Sequence, residues 1–165
     1  MDYIVMDLEW NQGGDQAGAS TETAEKLTFE VIEIGAVKVN DDGVITEKFH
    51  ELIKPRVYHE MNRITGQLIH LQMEELEEGL PFQEAAEKFL QWCSESPHLF
   101  CTWGDQDLTE LQRNMAFYHM TPMSCGPMVF LDVQKLFSLA FEDGKSRRSL
   151  GYAVDLMELE KDVPF

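Results

Sequence analysis

Two acidic residues separated by a single position, Asp7 and Glu9, follow a short apolar run near the start of the chain. The run at residues 3–6 predicts a β-strand, and because side chains alternate along a strand, both acids point to one face. Adjacent carboxylates repel each other unless something compensates their charge. A divalent cation does so, since hard cations prefer carboxylate oxygens. The pair therefore indicates a metal site, with two solvated acids on an edge strand as the alternative.

A further pair of acids follows the fourth predicted strand. Residues 99–102 are predicted to form that strand, and Asp105 and Asp107 come next, where a helix begins. If this strand lies beside the first, one of the two acids reaches Asp7 and Glu9. Helix capping and compensation of the helix dipole explain either acid alone. Three carboxylates at one point are much harder to explain by structure alone.

Whether these acids meet depends on the fold, for which the sequence predicts the element order β-β-β-α-β-α-β-α-α. The strands are predicted at residues 3–6, 29–39, 44–53, 99–102 and 128–131. Pro81 is predicted as the first residue of a helix, and further helices are predicted to begin directly after Asp107, Asp132 and Ser149. Residues 11–28 form a predicted long loop, a candidate lid or substrate loop, and residues 56–80 are predicted as irregular or short-helical. This order predicts an α/β fold with a mixed five-stranded sheet flanked by helices and the first strand central. Ligands of such sheets bind at the carboxyl ends of strands.

Composition limits the classes of protein that fit. The 165 residues, of which 44% are hydrophobic, suit one domain over residues 1–165. No apolar run approaches the ~18 residues that cross a bilayer, no signal segment is recognised, and three cysteines without Cys-x-x-Cys spacing indicate reduced thiols. We therefore predict a cytoplasmic protein without a membrane partner. The net charge of −17 disfavours nonspecific nucleic-acid binding, but not an enzyme that meets nucleic acid at a metal-neutralised site.

Several stretches resemble one family when they are taken in order. They are Asp-Leu-Glu at 7–9, Phe-Glu-Val-Ile-Glu-Ile-Gly-Ala-Val at 29–37, His-Glu-Leu-Ile-Lys-Pro at 50–55, Ile-Thr-Gly at 64–66, Trp-Gly-Asp-Gln-Asp-Leu-Thr-Glu-Leu at 103–111, and the later stretches 131–135 and 149–153. Together they resemble the DnaQ-like (DEDDh) 3′–5′ exonucleases of the ribonuclease H-like superfamily, in the style of the branch that trims RNA 3′ ends. The resemblance covers nearly the whole chain, and it assigns the third acid to Asp107 rather than Asp105.

The resemblance implies a metal-dependent enzyme that releases nucleoside monophosphates from the 3′ ends of single-stranded RNA or DNA. In the complete family site, two Mg²⁺ or Mn²⁺ ions roughly 4 Å apart clamp the scissile phosphate. The implied catalytic metal ligands are Asp7, Glu9 and Asp107. The implied contacts to the terminal nucleotide are Leu8, Trp10, Thr65 and Gly66. For Trp10, stacking on a base and packing in the core are alternatives.

The third motif of that family has no match in this chain. It consists of His, four residues and Asp on a final helix, and none of the five histidines has Asp five positions on. The expected fold therefore lacks the C-terminal helix. The site lacks its fourth acid and its general base, a role worth about 10²–10⁴ in rate. We expect the chain to bind at most one divalent ion well and to cleave poorly or not at all.

Two origins explain the incomplete motif. The chain is either an exonuclease domain truncated at its C-terminus or a catalytically dead regulatory module that binds a protein partner through its acidic surface. A His-x-x-x-x-Asp sequence beyond Phe165 in the gene would identify the former. A ribonuclease H-like endonuclease is a third hypothesis, which an end-blocked substrate would test. The basic stretch 144–148 is either a phosphate contact or a solvated loop.

Overall fold

The computed structural model describes residues 1–13, 27–69 and 71–160. Its strands are Asp2–Gln12 (β1), Phe29–Val39 (β2), Ile45–Leu52 (β3), His98–Thr102 (β4) and Phe130–Asp132 (β5). Its helices are Arg63–Leu68 (α1), Met73–Leu76 (α2), Phe82–Cys93 (α3), Gln106–Phe117 (α4), Val133–Phe141 (α5) and Leu150–Leu156 (α6). None of the helices within these ranges is long and apolar enough to cross a membrane. Most of the predicted loop, residues 14–26, lies outside the described residues.

The strands form one sheet in the order β3-β2-β1-β4-β5, so β1 is central as predicted. β2 pairs antiparallel with β1 and β3, whereas β4 runs parallel to β1 and β5. This arrangement confirms the predicted mixed sheet, in which a β2–β3 hairpin is followed by alternating helices and strands. The bounds of β2 agree with the prediction, whereas β5 begins two residues later than predicted.

β1 is longer than its apolar run indicated. It continues to Gln12, so Asp7 and Glu9 lie within the strand, and Asn11 belongs to β1 rather than to the predicted loop. The extension is possible because β2 pairs with β1 over this length, whereas β4 pairs with it only as far as Val5. Polar residues persist in this strand because one of its faces does not join the core.

The core lies between one face of the sheet and helices α3 and α4. Ile4, Met6 and Leu8 alternate along β1 and are buried there. They meet the apolar stripe of α3, which is buried at Phe82, Ala85, Ala86, Phe89 and Cys93 and partly buried at Leu90. Pro81 precedes α3 as its N-cap and is not its first helical residue. This packing fixes β1 at the centre of the fold.

The opposite face of the sheet carries α5 and α6, which begin at their predicted caps. Asp132 accepts a hydrogen bond from the Lys135 N–H at 2.9 Å, and Ser149 accepts one from the Tyr152 N–H at 3.2 Å. The apolar stripes of these two helices are largely open to solvent. Several of these side chains are exposed, namely Leu136, Phe141, Leu150 and Met157. An amphipathic helix buries its stripe only where another element packs on it, and in the described structure this face stays open.

Candidate active site

The two acids of β1 share the sheet face that points away from α3 and α4, called the acidic face below. Met6 and Leu8 are buried on the core side, and Asp7 and Glu9 alternate with them. Asn11 follows in the same alternation. The strand therefore places three polar side chains in a row, of which the first two are the predicted metal ligands.

Asp107 is held against β1 by a backbone hydrogen bond. Because β4 pairs with β1 only to Val5, the Leu8 N–H has no partner on β4. Asp107 Oδ1 accepts it at 3.1 Å, and the Asp107 residue is only 5% exposed. The turn that leads from β4 into α4 contains Gly104 with φ of +100°, a conformation that favours glycine. α4 thus delivers its first-turn acid to the segment between Asp7 and Glu9.

Asp105 has a different environment, although it is only two residues away. It forms the N-cap position of α4 without a side-chain capping bond, and its side chain is 54% exposed. Its carboxylate lies 3.5 Å from Arg147, which also lies 3.8 Å from Asp132. The basic stretch 144–148 therefore contributes an arginine that bridges two surface acids. These contacts favour Asp107 over Asp105 as the acid next to β1.

The acidic face holds excess negative charge. The pKa of Asp7 is raised to about 6, because protein atoms crowd its carboxyl group on the side away from solvent and because Asp107 and Glu33 repel its charge. The pKa of Glu9 is raised to about 7 by burial and by the charges of Asp7, Glu33 and Asp107. Burial also raises the pKa of Asp107, although the Leu8 N–H opposes that shift. Among the described residues, no lysine or arginine forms an ion pair with Asp7, Glu9 or Asp107.

A fourth carboxylate faces the same region and was missed in the sequence. Glu33 on β2 lies directly opposite Glu9 in the strand register, and Gly35 lies opposite Asp7. Glu33 Oε1 is 2.5 Å from His50 Nε2 on β3. Directly opposed like charges destabilise a sheet, so this pair increases the demand for a neutralising cation. The available signal was the register of the β1–β2 pair, which the sequence alone does not fix.

The donor set suits a hard divalent cation, but it is not yet assembled around one point. Carboxylate oxygens are the ligands that Mg²⁺ and Mn²⁺ accept, and the raised pKa values show that the acids lack compensation. Within the described ranges, no three acidic, histidine or cysteine side chains already stand in metal-binding geometry. The residues therefore suit a divalent metal ion chemically, but at least one further ligand or a rearrangement is needed to complete the metal site.

The predicted substrate contacts divide into two groups. Thr65 is buried on α1, and its Oγ1 lies 3.5 Å from the Trp10 carbonyl, while Gly66 is exposed beside it. The Leu8 side chain lies in the core, so only its backbone faces the site. The Trp10 ring packs 5.9 Å from the ring of Phe29, on the core side. This position favours packing over base stacking for Trp10, and the substrate roles of all four residues remain predictions.

A cavity of about 1190 Å³ lies away from Asp7, Glu9 and Asp107. Its lining includes Leu27, Arg56, Glu110, Arg113 and Tyr118, and none of the predicted site residues contributes to it. The acidic face is the better candidate for catalysis, because unpaired acids with raised pKa values mark functional sites more specifically than cavity size does.

The family model of the RNase_T exonucleases matches residues 4–163. The chain belongs to this exonuclease family. The probable 3′–5′ exonuclease KapD of Bacillus subtilis is 26% identical over 121 residues, which make up 73% of this chain and 56% of that protein. The chain thus spans just over half of the length of this relative. Exonucleases of this type generally use divalent metal ions.

Solved exonuclease structures share the fold. The nuclease domain of 3′hExo, a DEDDh family member bound to rAMP, superposes with a TM-score of 0.74 at 12% identity, over 99% of this chain and 82% of that chain. E. coli Exonuclease I in complex with a dT13 oligonucleotide superposes with a TM-score of 0.71 at 10% identity, over 98% of this chain and 36% of that chain. These likenesses confirm the predicted ribonuclease H-like fold.

Proposed function

We propose that the chain is a 3′–5′ exonuclease domain that removes nucleoside monophosphates from the 3′ end of single-stranded RNA or DNA. The observation that carries the proposal is the placement of Asp7, Glu9 and Asp107 around the backbone of Leu8, with the pKa of each acid raised. These three residues would hold Mg²⁺ or Mn²⁺. A bound ion supplies a water of lowered pKa and stabilises charge on the scissile phosphate.

The residues of this chain are better suited to binding a metal ion and a nucleotide than to transferring a proton. Asp7 and Glu9 offer oxygens on the acidic face, and α1 stands beside the end of β1 where a terminal nucleotide would lie. The family's general-base histidine has no counterpart in the sequence. His50 on β3 is bound to Glu33, and His98 begins β4 beside Asp2, at the end of β1 that lies away from Glu9. We therefore propose slow turnover for this chain, because general base catalysis is worth about 10²–10⁴ in rate.

An open groove supports the further proposal that the domain is truncated. The groove measures about 590 Å³ and combines Asp7 with apolar side chains of β1, β2, α5 and α6. A helix that packed there would cover the exposed stripes of α5 and α6 and would reach Asp7. The helix that carries His-x-x-x-x-Asp in the family is the occupant we propose. It would add the missing base and the fourth acid to the acidic face.

A nuclease assay on this chain tests the function. A single strand labelled at its 5′ end, incubated with Mn²⁺, should shorten slowly from the 3′ end, and Asp7→Asn should stop the reaction. Imidazole added to the buffer should accelerate the reaction by standing in for the missing base. Rapid digestion without imidazole would contradict the inference about the base. Internal cuts in a strand with a blocked 3′ end would favour a ribonuclease H-like endonuclease instead.

The same groove favours one alternative, a catalytically dead module that binds a protein partner. Leu136 and Leu159 line the groove and are 47% and 54% exposed, and exposed apolar patches mark interaction surfaces. In that case, no metal or imidazole concentration should produce trimming. Addition of the gene segment that follows Phe165 should then also leave the chain inactive, whereas a completed exonuclease domain should gain activity.

A further inference from the structure

Asn11 is a completely buried polar residue that the proposed mechanism does not use. It is 0% exposed and lies two positions after Glu9, in the same alternation as the two acids. Burying an amide costs free energy unless its polar atoms are hydrogen-bonded. Asn11 satisfies this condition through three bonds, of which two leave its own strand, and these two bonds show what it holds.

The bonds run from β1 to the segment that precedes α1. Asn11 Nδ2 donates to the Glu60 carbonyl at 2.9 Å, and Asn11 Oδ1 accepts from the Asn62 N–H at 2.9 Å and from the Gln12 N–H at 3.0 Å. Asn62 in turn caps α1, since its side chain accepts from the Ile64 N–H at 2.8 Å. A continuous chain of hydrogen bonds therefore joins β1, just beyond Glu9, to the first turn of α1.

The start of α1 depends on these bonds, because packing holds mainly its other end, where Ile69 is buried against Ile32 and Leu76. The helix has six residues, of which only Thr65 is buried, and isolated helices of this length are not stable in water. Ile64 and Leu68, one turn apart, are 52% and 75% exposed. They give α1 an exposed apolar side against which a nucleobase of the substrate can pack. Besides the bonds of Asn11, a long contact of 3.5 Å from Thr65 to the Trp10 carbonyl joins α1 to β1.

We propose that Asn11 is a positioning residue that sets the distance between α1 and the acids, and thereby the affinity for the terminal nucleotide. The proposal rests on the proposed function, because it assumes that the nucleotide lies between α1 and the acidic face. Asn11 touches neither substrate nor metal in this role. Loss of its bonds should let α1 move away from Glu9 and weaken its contacts with the nucleotide. Displacements of about 1 Å in an active site also cost up to 10²-fold in reaction rate.

Adenosine 5′-monophosphate, the product expected from an RNA 3′ end, is a suitable probe. NMR titration in Mg²⁺ buffer gives both its affinity and the amides that shift. In the native chain, the amides of Thr65 and Gly66 should shift. Asn11→Ala should weaken the affinity roughly tenfold, which corresponds to about 1.4 kcal/mol. Asn11→Asp, which keeps the acceptor for the Asn62 N–H but loses the donor to Glu60, should have an intermediate effect.

Asn114→Ala is the matched control. Asn114 is also 0% exposed, and its side chain joins α4 to β2 through bonds to the Val31 N–H and the Phe29 carbonyl. Its loss should lower the melting temperature as much as Asn11→Ala does. The affinity should stay within about twofold of the native value, because α1 is not involved and Asp107, about two turns away on α4, keeps its own bond to the Leu8 N–H. Equal losses of affinity in both variants would reduce Asn11 to a structural role and overturn the proposal. Absence of any shift at α1 in the native chain would overturn the nucleotide site of the proposed function as well.

Discussion

Neutralising one acid of the acidic face should stabilise the metal-free fold. The pKa of Glu9 rises from 4.5 to about 7 on folding, and each unit corresponds to about 1.4 kcal/mol. The full shift would give roughly 3 kcal/mol, but Glu9 is only partly buried and solvent screens its charge. We therefore expect Glu9→Gln to raise the free energy of unfolding by about 1–2 kcal/mol at pH 8.

The sign of this effect follows from proton linkage. The folded state binds the Glu9 proton more tightly than the unfolded state does, so the ionised carboxylate destabilises the fold most above pH 7. The destabilisation shrinks as the pH falls from 7 towards 4.5, and well below 4.5 Glu9 carries a proton in both states. The advantage of Glu9→Gln should therefore be largely lost at pH 5.

Urea unfolding with a chelator, at pH 8 and at pH 5, measures both values. Glu87→Gln on the exposed side of α3 makes the same change of charge and should alter stability by less than about 0.5 kcal/mol. Saturating Mg²⁺ should reverse the order at pH 8, because the ion stabilises only a chain that binds it. A Glu9→Gln variant that is no more stable than the native chain at pH 8, or equally favoured at both pH values, would refute the reasoning.

Three other substitutions test the surrounding structure. Gly104→Ala forces a side chain into a backbone with φ of +100° and should cost about 1–2 kcal/mol of unfolding free energy, measured in urea. Lys38→Ala removes a buried ammonium that bonds two glutamates, and it should cost about 2 kcal/mol in the same assay, less than a fully buried pair because both glutamates are half-exposed. The double variant Leu139→Lys and Leu159→Lys should reduce binding of a hydrophobic dye while changing stability by less than about 0.5 kcal/mol, since both side chains are exposed.

Local signals in the sequence predicted most elements of the fold. The bounds of β2 were predicted correctly because its apolar residues are continuous and turn residues follow it, and the caps Asp132 and Ser149 marked the starts of α5 and α6. β1 was predicted too short because its second half carries polar side chains on the acidic face. Polar residues at these positions belong to the site, so they gave no indication that the strand continues to Gln12.

The site was predictable only in part, because its assembly depends on how distant segments pair. Spacing alone paired Asp7 with Glu9, but it left Asp105 and Asp107 as alternatives. The structure distinguishes them through the unpaired Leu8 N–H, which depends on where β4 leaves β1. Glu33 faces Glu9 only in the register that the sheet adopts. These are contacts between distant segments, and no pattern within one segment encodes them.

A titration of the chain with Mn²⁺ tests the central claim most directly, namely that the acids of β1 and α4 hold a catalytic divalent ion. Calorimetry at pH 8 should detect one well-bound ion per chain and no second one. Asp7→Asn and Asp107→Asn should each weaken that binding at least about tenfold, whereas Asp105→Asn should leave it within about twofold. Binding that survives in both Asp7→Asn and Asp107→Asn, or the absence of any binding by the native chain, would contradict the claim.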